Sequence, residues 1–176
     1  RLTPEQIREI VFAAGIVGLG GAGFPTYIKL NPPKPVDTLI INAVECEPYL
    51  TADYRLALEK AAEILRGAEL AAKCLSAKNI YLAIEEDKPE AIKGFEALAP
   101  HLNIKVLKSV YPQGGEKQLI KNILGKEVGR FRLPFDLGVV VHNVATLFAI
   151  YEAVYLGKPL YVRIVTVSGS LLTHPK

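Results

Sequence analysis

Four mostly apolar runs, each set off by helix-like sequence, constrain this chain most. They are Thr38-Leu39-Ile40-Ile41, Asn79-Ile80-Tyr81-Leu82-Ala83-Ile84, Ile104-Lys105-Val106-Leu107 and Leu137-Gly138-Val139-Val140-Val141. β-Branched residues and Leu dominate them. A short run that is apolar on both faces marks a strand covered on both sides, because an edge or half-exposed strand would alternate with polar residues. Strand and helix patterns that alternate along a chain close most simply as parallel βαβ units. The expected class is therefore α/β, with a Rossmann-like, mainly parallel sheet and helices on both faces. The 176 residues, half of them hydrophobic, suit one such domain and leave room for the start of a second.

Local signals place the helices. Thr3-Pro4-Glu5-Gln6 is a capping box, and Ile7, Ile10, Val11 and Ala14 then repeat at helical spacing up to Gly15. Thr51 is placed to cap a helix running to about Ser76, with Asp53 in its first turn. Leu58, Ala61, Leu65, Ala68, Ala72 and Leu75 mark one face of it, Ala-rich enough to pack close to the sheet. Asp87 and Glu90 predict a capping arrangement for a helix over 89–98. A further helix starts after Gly114-Gly115 and ends near Gly125. Residues 126–136 read as an irregular excursion anchored by Phe131, Pro134 and Phe135. The last helix stops at Gly157-Lys158-Pro159. Leu160 to Val167 reads as a fifth strand, and Ser168-Gly169-Ser170 as a turn.

Between the first helix and the first strand lies Gly18-Leu19-Gly20-Gly21-Ala22-Gly23-Phe24-Pro25-Thr26. Without a Cβ, backbone amides there can approach a phosphate or a planar ring. The spacing Gly18-x-Gly20-x-x-Gly23 matches a dinucleotide fingerprint, but that motif follows a strand and opens a helix. Here a helix precedes it, so the stretch reads as a glycine-rich ligand loop of another kind, or as a connector. A net charge of +3 with interspersed signs gives no support for a nucleic-acid or membrane-surface partner. No run of 18 apolar residues exists to span a bilayer. Cys46 and Cys74, unpaired by any CxxC spacing, fit a reducing compartment and offer no metal or cluster site. The chain starts at Arg1 and contains no Met, which suggests a piece of a longer protein.

In parallel α/β sheets, ligands bind outside the carboxyl ends of the strands. Asn42 to Glu47, Glu85-Glu86, Gly114 to Lys117 and His142 to Thr146 all fall at such ends. There is no nucleophile motif and no His–carboxylate pair. Cys46 stands between Glu45 and Glu47, whose charges oppose a thiolate. Amides, glycines, Lys and Glu suit the holding of a phosphate, a ribityl chain or a heterocyclic ring. Each also has a plainer role: Asn42 and Asn143 as caps, Glu45 and Glu47 as a solvated loop, Lys29 and Lys117 as surface.

Three segments in order carry a resemblance that covers nearly the whole chain. Gly-Gly-Ala-Gly-Phe-Pro-Thr at 20–26, Asn-Ala-Val-Glu-Cys-Glu-Pro at 42–48 and His-Asn-Val-Ala-Thr-Leu at 142–147 resemble the family of the respiratory complex I flavoprotein subunit. Glu45-Cys46-Glu47-Pro48-Tyr49 with Thr51-Ala52-Asp53, and Tyr111 to Gln118, are most similar to its Rnf electron-transport branch, in the flavoprotein-like C subunit. The resemblance implies non-covalent FMN and hydride exchange with NADH, without a protein acid or base. By motif position, Gly18, Gly20, Gly21, Lys29, Asn42, Gly114, Gly115, Asn143 and Thr146 would hold FMN. Phe24, Glu47 and Glu116 would lie toward the nicotinamide. It further implies a Rossmann-like FMN/NADH-binding domain over 1–159 and the start of a β-grasp segment over 160–176. Its partners would be other subunits of an Rnf-type membrane complex, on the cytoplasmic side of the inner membrane and without a span of its own. The 4Fe-4S clusters would sit in a part of the chain absent here. Complex I members carry an acidic residue where Val44 stands and Glu-Glu-Thr where Glu116-Lys117-Gln118 stand. The related cobalamin reductase shares these motifs, and a scaffold subunit of the sodium-pumping quinone reductase has this fold and is thought to lack the flavin site.

Overall fold

The computed structural model describes residues 2–169. Strands β1 (Thr38–Ala43), β2 (Asn79–Glu85), β3 (Asn103–Leu107) and β4 (Val139–Asn143) form one parallel sheet in the order β3-β2-β1-β4. The apolar run of β1 puts it at the centre, where Leu39, Ile40 and Ile41 are fully buried. Alternation then sorts the side chains. Leu39 and Ile41 join Leu82, Ile84 and Val140 on one face, and Ile40 joins Ala83 and Val141 on the other.

The first face is covered by α1 (Pro4–Ala13), α3 (Ala52–Glu59), α4 (Ala61–Leu75), α5 (Pro89–Leu98) and α7 (Val144–Leu156), through residues such as Ile7, Leu56, Ile64, Phe95 and Ile150. The second is covered by α6 (Glu116–Leu124), through Leu119 and Ile120. Helices thus lie on both faces, unequally. The chain runs outward from β1 to β3, then returns to place β4 on the other side of β1. That reversal makes a crevice between β1 and β4 at their carboxyl ends.

Local chemistry set several elements as expected. The Thr3–Gln6 capping box forms, with Thr3 N donating to Gln6 Oε1 at 2.8 Å and Gln6 N to Thr3 Oγ1 at 3.3 Å. Gly125 and Gly157 end α6 and α7 in the left-handed conformation.

Other expectations fail. A short helix that the sequence reading did not include, α2 (Thr26–Lys29), follows the glycine loop. The single helix expected to run to Ser76 is two, α3 and α4, broken at Lys60, so that α3 turns onto α5 and α7. Thr51 makes no side-chain cap for α3, and neither Asp87 nor Glu90 caps α5, whose N-cap is Lys88. The tightest packing of α4 is against α7, not the sheet. Phe131 anchors nothing, being 94% exposed, whereas Pro134 is buried and Phe135 packs on the core. Leu137 belongs to a 3-10 turn (Pro134–Leu137), and β4 begins after it. The run 160–167 forms no strand: among the described residues, no second strand lies beside it to take up its amides and carbonyls. The turn expected at 168–170 lies partly outside the described residues, as does the rest of the chain to Lys176.

Candidate functional site

Asn42, one residue before the end of β1, and Asn143, the last residue of β4, are register partners at the carboxyl ends that flank the crevice. Each side chain is locked by its neighbours. Asn42 Oδ1 accepts from Val44 N at 3.0 Å, and its Nδ2 donates to Gly114 O at 3.0 Å. Asn143 Oδ1 caps α7 by accepting from Ala145 N at 2.9 Å, and its Nδ2 donates to Asp53 Oδ2 at 2.5 Å. The capping role of Asn143 is therefore real, and each amide still has a second Nδ2 hydrogen to offer.

The glycine loop is the tip of a small hairpin. Val17 and Pro25 form an antiparallel bridge at its base, and Gly18 N donates to Phe24 O at 2.8 Å. From below, Thr146 Oγ1 accepts from Leu19 N at 2.9 Å. Gly20 lies against Asn143: a Cβ there would come within 3.2 Å of the Asn143 Cβ. Gly21 has φ +108°, which L residues rarely adopt, and open space in front of it. Among the described residues, the amides of Gly20 and Gly21 donate no hydrogen bond within the chain. Across the crevice, a Cβ on Gly114 would meet Val44 O at 2.8 Å, so this loop sits as close as backbone allows. Cys46 Sγ accepts from Gly114 N at 3.4 Å.

Together these walls enclose an open cavity of about 660 Å³ lined by Gly20, Gly21, Asn42, Gly114, Gly115 and Asn143. Its rim includes Glu47. The volume is in the range of small-molecule and cofactor sites. Gly18 and Thr146 do not line it; they hold the loop that does. Lys29 and Glu116 lie outside the lining and pair with each other at 2.7 Å. Phe24 is also outside it, half exposed.

Residues outside the FMN and nicotinamide assignments complete the walls. Glu45, whose plainer reading is a solvated loop residue, caps α3: its carboxylate accepts from Asp53 N at 3.0 Å and Tyr54 N at 3.1 Å. Its own amide donates to Glu85 at 3.1 Å, and burial raises the Glu85 carboxyl while that amide opposes the rise. Arg163 crosses over from the segment after α7 and donates to Leu19 O at 2.5 Å. Thr166 Oγ1 in the same segment accepts from Thr51 N at 3.0 Å. Asp53, freed from helix capping, faces the cavity; burial pushes its carboxyl up to about 6. Spacing could not reveal Glu45 as a cap eight residues before Asp53, nor a contact between residues 144 apart. Both cysteines are free, and burial pushes the Cys74 thiol up to about 11.

The sequence profile of the Nuo51 FMN-binding domain family matches residues 11–152, from α1 into α7. This chain belongs to that family. Curated relatives of this Nuo51-type domain include the C subunit of the ion-translocating oxidoreductase complex of Rhodobacter capsulatus, 49% identical over 98% of this chain and 34% of the relative. The C subunit of the proton-translocating ferredoxin:NAD(+) oxidoreductase complex of Clostridium ljungdahlii is 44% identical over 99% of this chain and 39% of that protein. The chain thus spans little more than a third of these relatives. Among solved structures, the Nuo51-type fold is shared with an NAD+-reducing [NiFe]-hydrogenase in the H2-reduced state, with a TM-score of 0.77 and 29% identity over 86% of this chain and 31% of that one. The cavity fits the cofactor for which the family is described: unpartnered glycine amides and two amide side chains face a space wide enough for a ring system. Among the described residues, no helix is long and apolar enough to cross a membrane.

Proposed function

We propose that this chain is the FMN-binding part of the C subunit of an Rnf-type ferredoxin:NAD oxidoreductase complex, where hydride passes between nicotinamide and flavin. The observation that carries the reading is the pairing of Asn42 with Asn143 across the switch point, beside a glycine loop in which, among the described residues, the Gly20 and Gly21 amides have no partner. The flavin supplies reversible hydride acceptance when bound. The chain's own residues bind and orient. Gly20 and Gly21 offer amides. Asn42 and Asn143 offer their remaining Nδ2 hydrogens. Gly114 and Gly115 bring backbone close and lead into the amino end of α6, whose first-turn amides favour negative charge. Lys29 joins the site by exchanging its pairing with Glu116 for an anionic ligand. Phe24, Glu47 and Glu116 form the nicotinamide side, with NADH as substrate.

The relatives from Rnf-type complexes support this reading over a cobalamin reductase, and the open glycine cavity supports it over a scaffold without flavin. The same proposal includes a peripheral position on the cytoplasmic face of a membrane complex, other Rnf-type subunits as partners, and 4Fe-4S clusters elsewhere in the full-length protein. It also includes a second, β-grasp unit that begins at about residue 160. Anaerobic mixing of FMN-loaded full-length protein with NADH tests the central part. The flavin absorbance should bleach, and Phe24→Ala combined with Glu47→Ala should slow bleaching at least about tenfold while FMN stays bound. A wild-type flavin that stays oxidised with NADH yet bleaches with dithionite would remove nicotinamide from the account.

A further inference from the structure

Asp53 is the group in this cavity whose role is not accounted for by holding the fold. Its place in the first turn of α3 would suit helix capping, but Glu45 already takes the amides of that turn. Its carboxylate instead turns to Asn143, the residue that seats Gly20. It lines the crevice cavity, and it also lines a smaller, mostly apolar cavity of about 250 Å³ on its other side, with Leu19, Leu56, Phe148 and Ile164. Among the described residues, no Lys or Arg forms an ion pair with it.

We propose that Asp53 is a proton-coupled positioning residue: when an anionic cofactor fills the crevice, Asp53 takes a proton from solvent and keeps its hydrogen bond to Asn143. The inference rests on the reading of the crevice as the flavin site. Of the charged groups around it, Glu45 favours the protonated form and Arg163 opposes it. Glu45 and Glu47 in the loop after β1 are acidic, and Arg163 in the segment after α7 is, among the described residues, the one basic residue lining the crevice. Glu152 and Lys158, which line the apolar cavity, pair with each other at 3.1 Å. A phosphate-bearing ligand adds negative charge and expels water, and both disfavour the ionised carboxylate. The free carboxyl already titrates near 6, mainly through burial, so little further change is needed at neutral pH. The proton can rest on Oδ1 while Oδ2 still accepts from the Asn143 amide, so the Gly20 wall is kept in place in both states.

Linkage fixes the sign. A ligand that raises a carboxyl's pKa binds the protonated form better, so FMN affinity should fall as pH rises through 6, by up to about tenfold per unit. Calorimetric titration of the full-length protein with FMN, in buffers of different ionisation heat at pH 7, counts the protons directly. Wild type should take up about half a proton or more beyond the Asp53→Asn variant; the titration of the FMN phosphate is common to both. Asp53→Glu, which keeps a carboxyl, should retain the extra uptake, and it serves if Asp53→Asn does not fold. Equal proton counts in wild type and Asp53→Asn, or loss of the extra uptake in Asp53→Glu, would overturn the coupling and leave FMN binding standing. No FMN heat with folded wild type would overturn the flavin reading and this inference together.

Discussion

Replacing Gly67 by Ala should cost this domain about 3 kcal/mol or more, and lower its melting temperature by roughly 6–12 °C. Gly67 is buried in α4 where that helix crosses α7. A Cβ at this position would stand 2.0 Å from Leu147 O and 2.7 Å from Leu147 C, both backbone atoms of α7. A side chain could rotate away from such a clash, but a helix backbone cannot, so the helices must separate. Separation opens the interface along Ala68, Ala71 and Leu147, all buried there. It also moves the amino end of α7, which carries Asn143 and Thr146. The Leu19–Thr146 and Asp53–Asn143 hydrogen bonds should loosen with it. Thermal denaturation of wild type and Gly67→Ala measures the effect. A loss below about 1 kcal/mol would mean that α4 and α7 do not pack at this closeness.

Acid should reveal two buried groups that hide one another. His142, at the end of β4, is 3% exposed with Nε2 unpartnered among the described residues. Burial pushes its imidazole down from 6.5 to about 3, with the Lys29 ammonium adding to the push. Between those pH values the unfolded chain holds a proton that the folded one does not, so acidification destabilises. Asp53 is the reverse. Its carboxyl rises from 3.8 to about 6 on folding, so between those values the folded chain holds the extra proton and acidification stabilises. Each group contributes up to about 1.4 kcal/mol per pH unit, and the two oppose each other from about pH 6 to pH 4. Their sum in wild type should be nearly flat there. Asp53→Asn should lose stability as pH falls across that range, by about 2 kcal/mol, and His142→Leu should gain by a similar amount. The raised Glu85 carboxyl affects all three proteins alike. Denaturant midpoints from pH 7 to pH 4 test this, and parallel slopes for the three proteins would contradict it.

What the sequence made legible was local chemistry. The Thr3–Gln6 box needs only four residues, and the left-handed stops at Gly125 and Gly157 need one each. The apolar run of β1 declared both its faces covered, because two covered faces leave no polar alternation to read. The carboxyl ends of the strands were legible as the ligand side, whereas the order β3-β2-β1-β4 that opens the crevice between β1 and β4 was not. The failures share a different cause: each depended on a partner distant in sequence. α3 takes its cap from Glu45 rather than the adjacent Thr51, because the loop after β1 folds back over its amides. The break at Lys60 has no Gly or Pro to announce it; it serves the separate packing of α3 and α4. A strand over 160–167 required a neighbour that this sheet does not supply. Of the residues assigned to FMN by motif, the crevice is lined by Gly20, Gly21, Asn42, Gly114, Gly115 and Asn143, while Gly18 and Thr146 hold the loop behind it. Lys29 is displaced from the lining by its pairing with Glu116, which no spacing predicts.

Equilibrium titration of the full-length protein with FMN, followed by flavin fluorescence, tests the central claim most directly, with Gly21→Leu beside wild type. The Gly21 backbone is open toward the cavity, so a leucine there has room to exist but occupies the ligand's space, and its positive φ adds about 1–2 kcal/mol of strain that circular dichroism and melting would register separately. The account predicts saturation at one FMN per chain in wild type and an affinity lower by at least about a hundredfold in a folded Gly21→Leu protein. Folded wild type that binds no FMN, or binds it as tightly after Gly21→Leu, would contradict the placement of the flavin in the crevice between β1 and β4.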